Sequence, residues 1–303
     1  MRILFTIMWM AALLITGWGC DRSAAPQASN SRESAKPEKL RIISMAPSLT
    51  EMLFALGLGD RVIGVTKFRQ SPPEALNKPV IGGFYDANYE KIVRLNPTLV
   101  VLLEAHDEAQ KKFDVLGIKY LEVDNHSTED ILESLVAIGK RCDAEDAARQ
   151  IVRSITQRIN QVRRTAAEQD KSLRVLICIG RAMGSGQVKD AYLAGPGTIY
   201  DELLGIAGAE NAYSGRIEYP TVGAEAIVRM DPDIIIDLAT NLEEKGLTPE
   251  DVRAEWRALP GLRAVRNQRL YVLTEDYVTV PGPRFIKLLE DLNRILYAPP
   301  GNN

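Results

Sequence analysis

Apolar residues recur at Ala148, Val152, Ile155, Ile159, Val162 and Ala166, a 4-3-4-3-4 spacing that keeps one stripe on one helix face. The segment around them, residues 143–170, holds no Pro and no Gly, and its other faces carry Arg, Gln, Glu and Asp. At 1.5 Å per residue such a helix spans about 42 Å, the height of a small domain. It divides the chain near its middle. It reads either as one surface helix of a single α/β domain or as a rigid strut joining two lobes.

On both sides of this helix the pattern switches between short apolar runs and helical periods. Before it, strands are predicted over 40–46, 61–66, 99–103 and 119–123, with helices over 47–57, 87–96, 107–116 and 128–142. In the first helix Ser48 stands as N-cap with Glu51 three residues on, the spacing of a capping box, and Gly57 marks the stop. The run at 99–103 is apolar throughout, as in a strand buried on both faces. After the long helix, strands are predicted over 173–179, 191–194, 233–237 and 269–273. Helices are predicted over 195–207, 223–230, 249–258 and 281–296. Strands alternating with crossover helices imply an α/β fold with parallel sheets. The predicted architecture is two doubly wound, Rossmann-like lobes joined by one long rigid α-helix.

Two segments echo across the strut. NYEKIVRLNPTLVVLL at 88–103 matches GAEAIVRMDPDIIIDL at 223–238, and Glu90 to Glu225 and Pro97 to Pro232 are both offset by 135. EMLFALG at 51–57 matches ELLGIAG at 202–208, offset by 151. Two echoes in the same order favour duplicated lobes, 40–142 and 171–298, around the helix at 143–170.

Composition narrows the function. The 303 residues are 46% hydrophobic and 25% charged, and the net charge of −3 leaves no electrostatic footprint for nucleic acid. Three Cys and two His cannot build a Cys-rich metal centre. Residues 1–19 read as a signal peptide, with Arg2 before an apolar run that ends at Cys20. Cys20 stands where a bacterial lipoprotein is cleaved and acylated. Residues 20–39 are a Ser-, Ala-, Pro- and charge-rich tether, and 299–303 form a tail. Cys142 and Cys178 read as small core residues or, in an oxidising compartment, as a pair.

In an open α/β sheet, ligands sit beyond the carboxyl ends of the strands. The loops predicted there hold Phe68, Arg69, Phe84, Tyr85, Arg181, Arg216, Tyr219, Tyr277 and Arg284. Phe84 and Tyr219 each precede the repeated Glu by six residues, which places one aromatic per lobe at matching points. Aromatic faces with Arg suit a large, flat or anionic metal chelate. Glu90 and Glu225 lie in the first turns of equivalent short helices. Each complements a helix dipole, and together they form two acidic points able to meet Arg on a two-fold partner.

The order APSLTE, LGLGDRVIGVT and VIGGFYDANYEKIVRLNPTLVV, then a helical strut, then AGAENAY, EAIVRMDPDIII and YVTVPGPRF resembles the periplasmic substrate-binding proteins of iron-chelate and vitamin B12 ABC importers. The resemblance covers about residues 40–297. It implies a monomeric, membrane-tethered cell-envelope protein with no cofactor of its own. Its ligand, a corrinoid or a ferric siderophore, lies between the lobes and is handed to a permease dimer and its ATPase. The resemblance also implies that Glu90 and Glu225 dock on Arg pockets of the two permease subunits. A haem-binding protein of the same importer type is an alternative, with His106 as a candidate iron ligand. An enzyme is a different class: GRAMGSG at 180–186 is only a weak phosphate loop, and no GxGxxG, P-loop or GxSxG follows a strand. A tethered sensor with the same cleft is a third reading.

Overall fold

The computed structural model describes residues 40–67, 71–169 and 172–297. The signal peptide, Cys20 and the tether, Phe68 and Arg69, and the tail at 299–303 lie outside the described residues. The fold is mixed α/β. The first half runs β1 (Ile42–Ser44), α1 (Pro47–Ala55), β2 (Val62–Gly64), α2 (Tyr89–Arg94), β3 (Leu99–Leu103), α3 (Asp107–Leu116), β4 (Tyr120–Val123) and α4 (Thr128–Arg141). Its four strands form one parallel sheet in the order β2-β1-β3-β4.

Helix α5 (Glu145–Ala167) follows. Its 23 residues are fewer than the 28 of the predicted segment: Asp143 takes a left-handed φ of 56° and the helix closes at Glu168. The chain continues through β5 (Arg174–Ala182), β6 (Lys189–Leu193), α6 (Ile199–Ile206), β7 (Glu210–Asn211), β8 (Thr221–Val222), α7 (Ala224–Met230) and β9 (Ile234–Leu238). It ends with α8 (Pro249–Arg257), α9 (Arg263–Arg266), β10 (Leu270–Leu273) and α10 (Phe285–Tyr297).

The second sheet corrects the expectation of purely parallel strands. Its order is β10-β9-β5-β6-β8, with β7 also on β5. The β5–β6 and β6–β8 pairs are antiparallel. The connection from β5 to β6 is a short Gly-containing turn, with Gly184 and Gly186 at φ 87° and 73°. That turn supports a hairpin where a parallel pair would need a long crossover.

Both sheets are buried on two faces. In β3, Leu99, Val101 and Leu103 enter one apolar cluster while Val100 and Leu102 enter another. In β5, Val175 and Ile177 face one cluster and Leu176 and Cys178 the other. The inner faces of the two sheets share a single cluster, which also takes Ala148, Ile155, Ile159 and Val162 of α5 and Leu288, Leu289 and Leu292 of α10. The predicted α5 stripe is therefore part of a core common to both halves. Cys142 and Cys178 are buried, unpaired and in separate clusters.

Local chemistry explains two further boundaries. Helix α1 begins one residue before the predicted cap, because Pro47 occupies the first turn, where its missing N–H costs nothing. Ser48 therefore caps nothing; its Oγ accepts from Asn125 Nδ2 at 3.1 Å. The internal repeat is visible in the backbone. Asn96 and Asp231, each before its Pro and offset by 135, adopt left-handed φ values of 46° and 40°.

Candidate functional site

The carboxyl ends of the strands open onto a cleft of about 510 Å³. Ser48 follows β1, Ala105 follows β3, and Asn125 and His126 follow β4 on one side. Ile179 of β5, Tyr192 of β6, Tyr200 of α6 and Tyr219 stand on the other, and Thr279 to Pro281 complete the lining. Phe84 also lines it. The structure thus brings the repeat-related pair Phe84 and Tyr219 (219 − 84 = 135) to one cavity.

Two glycines shape these walls. At Gly82, φ is 115° and a Cβ would lie 2.4 Å from the Asp86 carbonyl oxygen. Only Gly closes this turn, which carries Phe84. At Gly195 a Cβ would lie 2.2 Å from the Ile217 carbonyl oxygen, and its N–H donates to Glu218 O at 2.6 Å. That contact holds the 217–219 segment, and Tyr219 stacks on Tyr192 with centroids 5.7 Å apart.

The remaining predicted cleft residues fall elsewhere. Arg181 is withdrawn into the core, its side chain 0% exposed. It donates from Nε to Asp237 Oδ2 at 2.8 Å and from Nη1 to Glu255. Regular alternation along β5 would aim it with Ile179 toward the cleft. The register on β6 shifts on either side of Gly180, and such an irregularity re-aims a side chain. Arg284 forms ion pairs with Glu51 and Asp276 at 2.6 and 2.7 Å and lines a different pocket, of about 710 Å³. Tyr277 turns toward α10, where its hydroxyl donates to Asp291 at 2.6 Å. Tyr85 is 89% exposed and packs edge-on against Phe84. Arg216 is exposed, outside the lining.

His106 is not a solvated loop residue. It is buried, its ring centroid lies 4.3 Å from that of Phe84, and its Nδ1 meets the Leu103 backbone. Burial lowers its pKa. The histidine at the cleft is His126. Sequence reasoning missed Tyr192, Tyr200, Asn125 and His126 as lining residues. The last two directly follow the strand β4 in VDNHS, the signal that could have found them. Among the described residues no Lys or Arg lines the cleft; its ionisable lining groups are His126, Glu218 and three tyrosines.

Glu90 and Glu225 lie in the first turns of α2 and α7, exposed in both cases. One turn further on, the equally offset Val93 and Val228 are 49% and 44% exposed.

The family model described as periplasmic binding protein matches residues 42–277. An uncharacterised ABC transporter substrate-binding lipoprotein, YvrC of Bacillus subtilis, is 31% identical, over 89% of this chain and 84% of that one. A vitamin B12-binding protein of Vibrio cholerae is 24% identical over 83% and 87%. Among solved structures, the periplasmic heme-binding protein RhuT of Roseiflexus sp. RS-1 superposes with a TM-score of 0.74 at 26% identity, over 86% of this chain and 98% of that one. The described residues contain no helix long and apolar enough to cross a membrane. With strand ends framing an aromatic cleft and the match running through both sheets, the chain belongs to the periplasmic binding protein family, in the class that serves iron-chelate and vitamin B12 ABC importers.

Proposed function

We propose that this chain is an extracytoplasmic solute-binding lipoprotein that captures a flat metal chelate, a corrinoid or a haem, between two lobes and delivers it to an ABC permease. The observation that carries this reading is the cleft lining. Phe84, Tyr192, Tyr200 and Tyr219 supply aromatic faces, and no Lys or Arg among the described residues accompanies them. Such a wall suits a macrocycle bound by stacking and apolar contact. A highly anionic ferric complex would call for cationic partners, so a siderophore is the less favoured ligand. The vitamin B12-binding and heme-binding relatives support both macrocycles. The relatives are solute-binding proteins, and binding alone is the work assigned here.

In this reading Glu90 and Glu225 meet Arg on the two permease subunits, Cys20 carries the lipid, and α5 fixes the spacing of the lobes. The cluster shared by both sheets supports small lobe movements on binding. Calorimetric titration of the purified protein with cobalamin, haemin and ferric siderophores tests the ligand class. Stoichiometric uptake of a macrocycle supports it. Uptake of a siderophore alone, or of none of the three, removes it.

A further inference from the structure

We infer that His126 is an axial donor to the metal of the chelate held in the cleft, with Asp124 fixing its imidazole in the donor state. This rests on the reading of the cleft as a metal-chelate site and narrows it to chelates with an exchangeable axial position.

The Nδ1 edge of His126 is bonded to Asp124 Oδ1. An ionised carboxylate only accepts, so Nδ1 is the donor edge, and in the neutral imidazole the lone pair then lies on Nε2. Asp124 is itself held: the same Oδ1 accepts from the backbone N–H of Asn125 at 2.6 Å and of His126 at 3.2 Å. A carboxylate behind an imidazole is the arrangement that orients histidine for a metal. The Nε2 edge has no hydrogen bond among the described residues. The side chain is 67% exposed and lines the same cavity as Phe84 and Tyr219. With Arg181 and Arg284 both engaged elsewhere, His126 is the lining group best suited to fix a flat ligand by more than stacking. Its neighbour Asn125 is clamped by Ser48 and Pro281 O at 3.1 and 3.2 Å, so the donor sits on a braced segment.

The step is a ligand exchange. Nε2 donates its lone pair to the metal, and the water or halide it replaces leaves; no electron is transferred and no proton moves. Glu104 adds a third donor atom, within 4.8 Å of those of Asp124 and His126, so capture of a bare divalent cation is the rival outcome.

The test loads the full chain with haemin and, separately, with aquacobalamin, and reads the visible spectrum and the affinity. Imidazole-ligated spectra are expected for the wild type. His126→Ala should give the spectrum of a water-ligated metal with affinity lower by tenfold or more, and added imidazole should restore the spectrum. Asp124→Asn should keep an imidazole spectrum with weaker affinity. If His126→Ala binds either chelate with unchanged spectrum and affinity, the axial role is wrong while the cleft reading stands. If the wild type binds neither chelate, both fall. Binding of Zn²⁺ alone, lost in His126→Ala and Glu104→Gln with no change in chelate spectra, overturns the inference in favour of a cation site.

Discussion

Glu51 and Arg284, 233 positions apart in the chain, are joined by a hydrogen-bonded ion pair of 2.6 Å, with Glu51 only 5% exposed. Glu202, its counterpart in the repeat, makes the reciprocal tie. Its carboxylate accepts from the backbone N–H of Thr128 at 2.8 Å and from the Thr128 hydroxyl. Each glutamate thus links its own half to the start of a helix in the other.

Removing Arg284 should destabilise the protein without weakening ligand capture. Arg284→Ala leaves a buried carboxylate uncompensated; such losses run to about 3–5 kcal/mol for fully buried pairs, and the partial exposure of Arg284 puts this one toward 2–3. Urea unfolding checks the stability and calorimetry the affinity. A tenfold loss of affinity at unchanged stability would return Arg284 to the cleft.

The same cluster sets a pH dependence. The Arg284 hydrogen bond holds Asp276 below its ordinary 3.8. A depressed folded pKa contributes stability above the unfolded value and loses it as pH falls through the folded one. Asp276→Asn should therefore destabilise at pH 7 and approach the wild type below pH 3.8. Glu51 has the opposite sign: burial raises its carboxyl above 4.5, so its term is present in acid and is lost as pH rises through the folded value. Urea midpoints measured across this range, with Glu51→Gln as the second variant, separate the two slopes.

Arg181→Met should cost about 3–5 kcal/mol, because Asp237 and Glu255 lose the cation between them. At temperatures where the variant is folded, its affinity for the cleft ligand should match the wild type. Parallel unfolding and binding curves decide the matter.

Phe84→Ala and Tyr219→Ala should do the reverse. Each removes one aromatic wall of the cleft, for a loss of about tenfold in affinity, ~1.4 kcal/mol. Equal affinities in all three proteins would place the ligand elsewhere.

Replacing Glu90 and Glu225 together by Ala should leave affinity unchanged and abolish uptake through the permease. Both side chains are exposed and line no part of the cleft. Uptake in a reconstituted importer is the readout, and normal uptake would exclude the docking role.

Much of the fold was legible because it is written in local periodicity. The apolar runs gave β3 with its observed bounds and the 4-3-4-3-4 stripe gave α5, while the helices expected from 195 and 281 begin only at Ile199 and Phe285. The repeat brought Phe84 and Tyr219 together on paper before geometry placed them in one cavity. Arg181 was misread because a shift of register at Gly180 reverses a side chain without leaving a mark in composition. Arg284 was misread because its partners at positions 51 and 276 compete with any ligand for its guanidinium.

The sequence by itself determined the alternation of strands and helices, the long central helix and the two echoed segments, all of which follow from spacing within a few turns or strands. Only the tertiary structure decided that both sheets share one core, that the cleft is aromatic with no Lys or Arg among its described lining residues, and that His126 faces it while His106 does not. Those outcomes depend on contacts between residues tens to hundreds of positions apart, where packing and charge neutralisation choose among partners that local pattern cannot rank.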